Sequence, residues 1–301
     1  MKNLIYLLLA LPLLFTSCSN EDMATSEEPV QVSFCAEIPQ PMGTRASSTL
    51  SVDKVYCAVF ENGVEITNLR QDIDIVESQS IIFAPRLIKG RTYDIVFWAS
   101  KAGAYDVTDL TAITRTTGGG AATESDFDAF TAHIDVFVSN DNQPKPIVLT
   151  RPLAQLNLGV TPEDWDGVAS VSTFNMTPTN ITISLTGKDT FNALTGLATG
   201  EDKSISYNLP VSGSEFTIEE KTYKNIAMCY VLPDAQKENF DITFSINDQN
   251  GDAIRSNVAI NAVPLQANYK TNVVGGLLTG TVTYNITLQT EYNNTENKEI
   301  E

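Results

Sequence analysis

Short runs of alternating apolar and polar residues, cut apart by turn residues and never lengthening into a helical period, constrain this chain more than any other feature. Val55-Tyr56-Cys57-Ala58-Val59-Phe60, Ile73 to Val76, Tyr93 to Trp98, Leu153 to Val160 and Asp241 to Ile246 all read as strands. Glu61-Asn62-Gly63 and Gln249-Asn250-Gly251-Asp252 punctuate them, because Asn and Gly accept the positive φ of tight hairpins. Helix candidates are confined to two short pieces. One is Thr161-Pro162-Glu163-Asp164-Trp165, where Thr161 can cap and Pro162 can occupy the first turn, and the other is Asp126 to His133. The expected fold class is all-β, made of antiparallel β-sandwiches. A polar, Pro-rich stretch from Asn140 to Pro146 precedes a new strand run at Ile147. On it we place one sandwich at residues 46–150 and another at 151–301. A single long sandwich, with one strand running through Thr150-Arg151-Pro152, is the competing organisation.

The first 45 residues have a different character. Lys2 is followed by the apolar run Leu4 to Phe15, and then by Thr16, Ser17 and Cys18. Roughly a dozen apolar residues fall short of the ~20 that cross a bilayer as a helix, so residues 1–17 read as a signal peptide. A cysteine directly after small residues at the cleavage point can carry a lipid, which makes Cys18 the expected lipidation site. Leu14-Phe15-Thr16-Ser17-Cys18 resembles a bacterial lipobox, and Glu21-Asp22 behind it resembles the surface-export signal of Bacteroidota lipoproteins. An ordinary secretory signal with an incidental Cys18 also places the protein outside the cytoplasm.

Charge and chemistry narrow what the exported body can do. The formal net charge is -18, most of it beyond residue 45, and such a surface repels phosphate backbones and anionic headgroups. No nucleic-acid partner is expected. Beyond Cys18 only Cys35, Cys57 and Cys229 remain, too few and too widely spaced for a zinc pattern or a disulfide framework. Free thiols are expected, with a Cys35–Cys57 pair as the alternative. His133 is the single histidine and has no nucleophile motif beside it. Gly118-Gly119-Gly120 lacks the lysine of a phosphate loop. Asp126, Asp128 and Glu124, or Asp248 and Asp252, lack calcium-loop spacing. We therefore expect no enzyme, no catalytic residue, no cofactor and no metal.

Two segments alternate more cleanly than the rest. Val30, Val32, Phe34, Ala36 and Ile38 line one face of the first, and Val282, Tyr284, Ile286 and Leu288 one face of the second. The plain account is two ordinary strands of one fold. The sharper one is that they are interchangeable. Between the first segment and the body lies Pro39 to Thr49, a loop-forming stretch containing Arg45-Ala46. Cleavage by an arginine-specific protease after Arg45 would release the lipid anchor and one strand together. Residues 18–45 then form a pro-segment. Arg115 is a rival cleavage site, whereas Pro152 shields Arg151. An emptied groove would present unpaired backbone and bare apolar pockets, which a strand from a neighbour could fill. Head-to-tail donation does not close, and so builds a filament.

Ile38 to Ala46, Tyr93 to Ala99, Arg151-Pro152-Leu153-Ala154-Gln155-Leu156-Asn157 and Asn268 to Thr279, in this order behind the lipobox, resemble the FimA-like fimbrillins, the type V pilins of Bacteroidota. The resemblance implies two transthyretin-like β-sandwich domains in tandem and a lipidated, outer-membrane-anchored precursor. It also implies proteolytic removal of the first strand, and polymerisation with copies of itself or related pilins into an extracellular fimbrium. By position, Cys18 is the lipidated residue and Arg45 the cleavage residue. The donor is the segment of Val282, Tyr284, Ile286 and Leu288, or a strand beside it. A shaft subunit is expected first. The alternatives are a tip or anchor pilin, or a monomeric surface lipoprotein adhesin that binds a glycan or host protein.

Overall fold

The computed structural model describes residues 28–39, 52–76, 80–116, 123–139, 143–171, 176–233, 237–290 and 296–299. It is an all-β molecule of two β-sandwiches in tandem. All five alternating runs contain strands, namely Lys54–Glu61, Gln71–Asp74, Thr92–Ser100, Ala154–Val160 and Glu238–Asp248. Asn62 (φ 54°) and Gly63 (φ 78°) turn the chain from Lys54–Glu61 into Val64–Glu65, the paired positive φ values of a two-residue hairpin. Gly251 (φ 87°) serves the turn after Glu238–Asp248, where Asp248 Oδ1 accepts the backbone N–H groups of Asn250 and Asp252, each at 2.8 Å.

In the first sandwich one sheet runs Ala129–Phe137, Thr92–Ser100, Lys54–Glu61, with Val64–Glu65 and Gln71–Asp74 on the far edge of Lys54–Glu61. The facing sheet holds Phe34–Glu37 between Lys145–Val148 and Ile81–Phe83. Their shared core includes Val32, Phe34, Ala36, Val55, Cys57, Val59, Phe83, Ile95, Phe97 and Leu149. The second sandwich packs a six-stranded sheet on a four-stranded one. The first runs Glu215–Ile218, Lys221–Val231, Ala154–Val160, Lys270–Gly276, Thr283–Thr290, Glu296–Glu299, and the second Lys203–Pro210, Pro178–Gly187, Glu238–Asp248, Ala253–Leu265. Two pairings depart from the antiparallel rule. Lys145–Val148 lies parallel to Phe34–Glu37, and Lys270–Gly276 parallel to Ala154–Val160. Each joins strands more than 100 residues apart, where no tight turn dictates direction.

A third core lies where the two halves meet. Sheet positions Tyr56, Ala58, Phe60, Val96 and Trp98 pack there with Leu153, Phe191 and Tyr230 from the second half. Strand Lys54–Glu61 is consequently buried on both faces, Val55 to Phe60 all being enclosed, rather than alternating between core and water. A small sheet stitches the halves together by pairing Ile113–Arg115 with Thr190–Asn192.

The helix Pro162–Val171 starts as its cap residues suggest, with Thr161 Oγ1 accepting the Asp164 N–H at 3.2 Å. The Asp126-to-His133 candidate resolves differently. Only a 3-10 turn, Glu124–Phe127, forms, and Ala129 to Phe137 is a strand paired along its whole length with Thr92–Ser100. Cross-strand pairing overrides a weak local signal there.

Candidate functional site

The first alternating segment does occupy a groove. Pro29–Gln31 pairs antiparallel with Arg86–Ile88, and Phe34–Glu37 pairs antiparallel with Ile81–Phe83 in the same register. Only Ala84-Pro85 interrupts this ladder, because Pro85 has no N–H to give; its carbonyl still accepts the Val32 N–H at 3.0 Å. The sequence reads Val30 to Ile38 as one strand, and a proline on the partner strand splits it into two. On the other side, Lys145–Val148 runs parallel to Phe34–Glu37, and hydrogen bonds Lys145 N to Ser33 O and Leu149 N to Glu37 O, both 2.9 Å, seal the seam. Phe34–Glu37 is thus a central strand with neighbours on both edges.

Its side chains sort by parity. Val32 (3% exposed), Phe34 (0%) and Ala36 (4%) are buried, Val30 and Ile38 are half-buried against the same core, and Gln31 and Glu37 face water. Phe34 closes an aromatic triangle, with ring centroids 6.1 Å from Phe83 and 6.3 Å from Phe97, which are 6.0 Å from each other. Cys35 lies on the outward face and Cys57 in the core. Both are free thiols, as is buried Cys229, and burial raises the pKa of Cys57 and Cys229.

Cys18, Arg45 and Ala46 lie outside the described residues, and so does Gly118-Gly119-Gly120. Arg115, the rival cleavage position, is tied into the fold. Its guanidinium grips both Glu124 carboxylate oxygens at 2.9 and 2.8 Å and lies 3.6 Å from the Phe127 ring centroid. The N–H of Thr116, on the bond a protease would cut, donates to Ala104 O at 3.0 Å. Arg151 is buried and bidentate on Asp128, at 2.5 and 2.7 Å.

The second alternating segment sits elsewhere. Val282 and Ile286 are half-buried against the core of the second sandwich, Leu288 is buried, and Tyr284 is 37% exposed. Strand Thr283–Thr290 pairs with Lys270–Gly276 from Thr283↔Gly276 to Gln289↔Lys270, and on its other edge with Glu296–Glu299. The two alternating segments are therefore in different sheets. Gly275 lets the strands approach, since a Cβ there would stand 2.1 Å from Thr283 O. Asp164 pins the turn before the segment by accepting the N–H groups of Leu277, Leu278 and Thr279 and the Thr279 hydroxyl, at 2.6–2.8 Å.

Of the acidic groups weighed as calcium ligands, Asp126, Asp128, Glu124 and Asp248 have structural partners. Asp126 binds Lys101 and caps Thr123, Asp128 binds Arg151, and Glu124 also accepts the Tyr230 N–H. His133 Nε2 is 2.9 Å from Asp94 Oδ1 and 3.7 Å from Asp135 Oδ1 on the sheet surface. Hydrogen bonding and repulsion from Asp94 raise the Asp135 pKa. The three could hold a metal ion, and cross-strand pairing of Asp94 with Asp135 assembles them.

One cleft escapes the sequence altogether. On the outer face of the six-stranded sheet, Gln155, Asn157, Lys270, Asn272 and Gln289 line a cleft of about 700 Å³ together with residues of Asn208 to Ile218 and of the 3-10 turn. These polar residues at alternate positions read as a solvent face, and only the tertiary fold sets the other lining residues beside them.

Comparison with the curated proteins finds no match. Among solved structures, the chain is similar to a candidate polysaccharide-binding protein (DUF1812) from Bacteroides thetaiotaomicron, at 14% identity and TM-score 0.51, covering 90% of this chain and 98% of that one. It is also similar to a candidate adhesin from the same organism, at 8% identity and TM-score 0.50, covering 91% and 99%. A further similarity is to the tip fimbrial protein Mfa3 from Porphyromonas gingivalis with C-terminal truncation, at 11% identity and TM-score 0.49, covering 87% and 99%. The first two show a shared fold. A family model matches residues 24–301, and the chain belongs to that family, DUF6562, a family of unknown function.

Proposed function

We propose that the protein is a cell-surface fimbrial subunit, of the shaft, made as a lipoprotein precursor and polymerised by donor-strand exchange. In this reading Cys18 carries a transient outer-membrane lipid anchor, and an arginine-specific protease cuts between Arg45 and Ala46. The subunit then accepts a strand from a neighbouring copy or related pilin. The role is structural rather than enzymatic. The observation that carries it is the central position of Phe34–Glu37 in its sheet, within a segment that ends before Arg45.

Losing a central strand is unlike losing an edge. Strands lie ~4.8 Å apart, so Ile81–Phe83 and Lys145–Val148 would face each other across a gap of about 10 Å, wide enough for one strand. Both edges would expose unpaired N–H and C=O groups. An incoming strand running as Phe34–Glu37 does meets one antiparallel and one parallel partner. Burial of Val32 and Phe34 alone contributes about 3–6 kcal/mol to seating the resident segment. A nicked segment should therefore stay in place until displaced. Donation by Val282, Tyr284, Ile286 and Leu288 requires Thr283–Thr290 to leave Lys270–Gly276.

The test is to treat purified precursor with an arginine-specific protease, sequence the new N-terminus and look for SDS-resistant ladders. Ala46 at the N-terminus together with ladders supports the reading. An intact Arg45-Ala46 bond, or cleaved protein that stays monomeric, refutes it. The polar cleft favours a second reading, a monomeric surface adhesin that keeps its lipid and first strand. A candidate adhesin from Bacteroides thetaiotaomicron shares the fold.

A further inference from the structure

The cleft on the second sandwich is built in rungs. Parallel pairing sets Gln155 beside Lys270 and Asn157 beside Asn272, and antiparallel pairing extends these rungs to Gln289 and Thr287. A solvent-facing row of this kind would ordinarily be wet, yet Asn157 is 7% exposed and Asn272 3%. The amides form a directed chain. Gln155 Nε2 donates to Asn157 Oδ1 at 2.8 Å, and Asn157 Nδ2 donates to Asn272 Oδ1 at 2.8 Å. The chain ends at Asn272 Nδ2, a buried donor with no acceptor among the described residues, and Thr287 Oγ1 on the same rung is also buried and without a partner among them. Native proteins pair almost all such groups.

The walls suit the same kind of ligand. Asn208, Ser212, Ser214, Thr217 and Asn225 add hydroxyl and amide groups, and Phe127 and Phe216 add ring surface. Glycine at residue 159 leaves room for the Phe216 ring against the sheet, since a Cβ there would stand 2.5 Å from the ring as placed.

We propose that this cleft binds a neutral oligosaccharide. Each amide offers a donor and an acceptor together, which matches the paired donor and acceptor character of neighbouring sugar hydroxyls, and aromatic rings pack against the C–H face of a pyranose. The volume lies within the ~300–1,000 Å³ typical of small-ligand clefts. Acidic glycans are disfavoured by the net charge of -18. An added peptide strand is disfavoured because the floor is mid-sheet, with its backbone groups already paired to both sides.

The full chain carrying Arg45→Ala, kept unprocessed, is titrated with short neutral gluco-, manno- and galacto-oligosaccharides, with a heparin fragment and an extended acidic peptide as comparators. Calorimetry and saturation-transfer NMR report binding. At least one neutral series should bind. Affinity should fall about tenfold or more in Asn157→Ala and in Phe216→Ala. The exposed Asn208→Ala variant, which cannot disturb the core, should weaken binding in the same direction. The proposal is overturned if no neutral series binds, if affinity is unchanged in Asn208→Ala and Phe216→Ala, or if only heparin or the peptide binds. None of these outcomes depends on strand exchange.

Discussion

Replacing Phe34 with alanine separates a temporary strand from a permanent one. Phe34 is fully buried against Phe83 and Phe97, and Phe→Ala in such a core costs about 3–5 kcal/mol. The flanking rings already rest on each other at 6.0 Å, so they have little freedom to fill the void, and the upper half of that range is expected. At ~1.4 kcal/mol per tenfold, the cost raises the population of the open groove by roughly a few hundredfold to a few thousandfold. Denaturant unfolding of the precursor, followed by fluorescence of buried Trp98, should show the loss in the first sandwich. Once cleaved, Phe34→Ala subunits should polymerise faster. The finished fibre should be as resistant to denaturant as wild type, because Phe34 has left it. A precursor destabilised by under about 1 kcal/mol, or a fibre weakened as much as the precursor, would refute this reasoning.

Gly275→Ala forces a Cβ into Thr283 O and should cost about 1–3 kcal/mol. Hydrogen exchange should quicken at residues 283–289 while the first sandwich is unaffected. Asp128→Ala strands the buried Arg151 guanidinium and should destabilise the chain by about 3–5 kcal/mol, measured by denaturant unfolding. Asp164→Ala leaves three backbone N–H groups without their acceptor, at about 1–3 kcal/mol each. Loss of exchange protection at Leu277 to Thr279 should report it.

The strands were legible because their period is local. Val30 to Ile38 and Thr283 to Thr290 show which side chains share a face without any knowledge of neighbours. What those faces meet was not legible. Val55 to Phe60 is buried on both sides because Leu153, Phe191 and Tyr230 arrive from the other half of the chain, and no local pattern encodes that. The motifs behind the family resemblance also turn out to have physical duties. Arg151 pairs with buried Asp128, Gly275 permits close strand contact, and Leu277 to Thr279 supply the N–H groups that Asp164 holds. The amide cleft needed tertiary structure to be seen. Gln155, Asn157 and Asn272 are ordinary outward residues until the fold brings Ser212 to Ile218 and the 3-10 turn beside them. The carboxylate partner of His133 was not legible, because Asp94 lies 39 positions away across a strand pair.

Strand exchange requires that one groove holds two successive strands. Hydrogen exchange at Ile81–Phe83 and Lys145–Val148, read in the precursor and in isolated fibres alongside intact-mass analysis of the fibre subunit, tests it most directly. Both strands should be protected in both states, while the fibre subunit begins at Ala46 and retains nothing of Val30 to Ile38. Fibre subunits that still carry Val30 to Ile38, or fibres in which Ile81–Phe83 and Lys145–Val148 exchange freely, would contradict it.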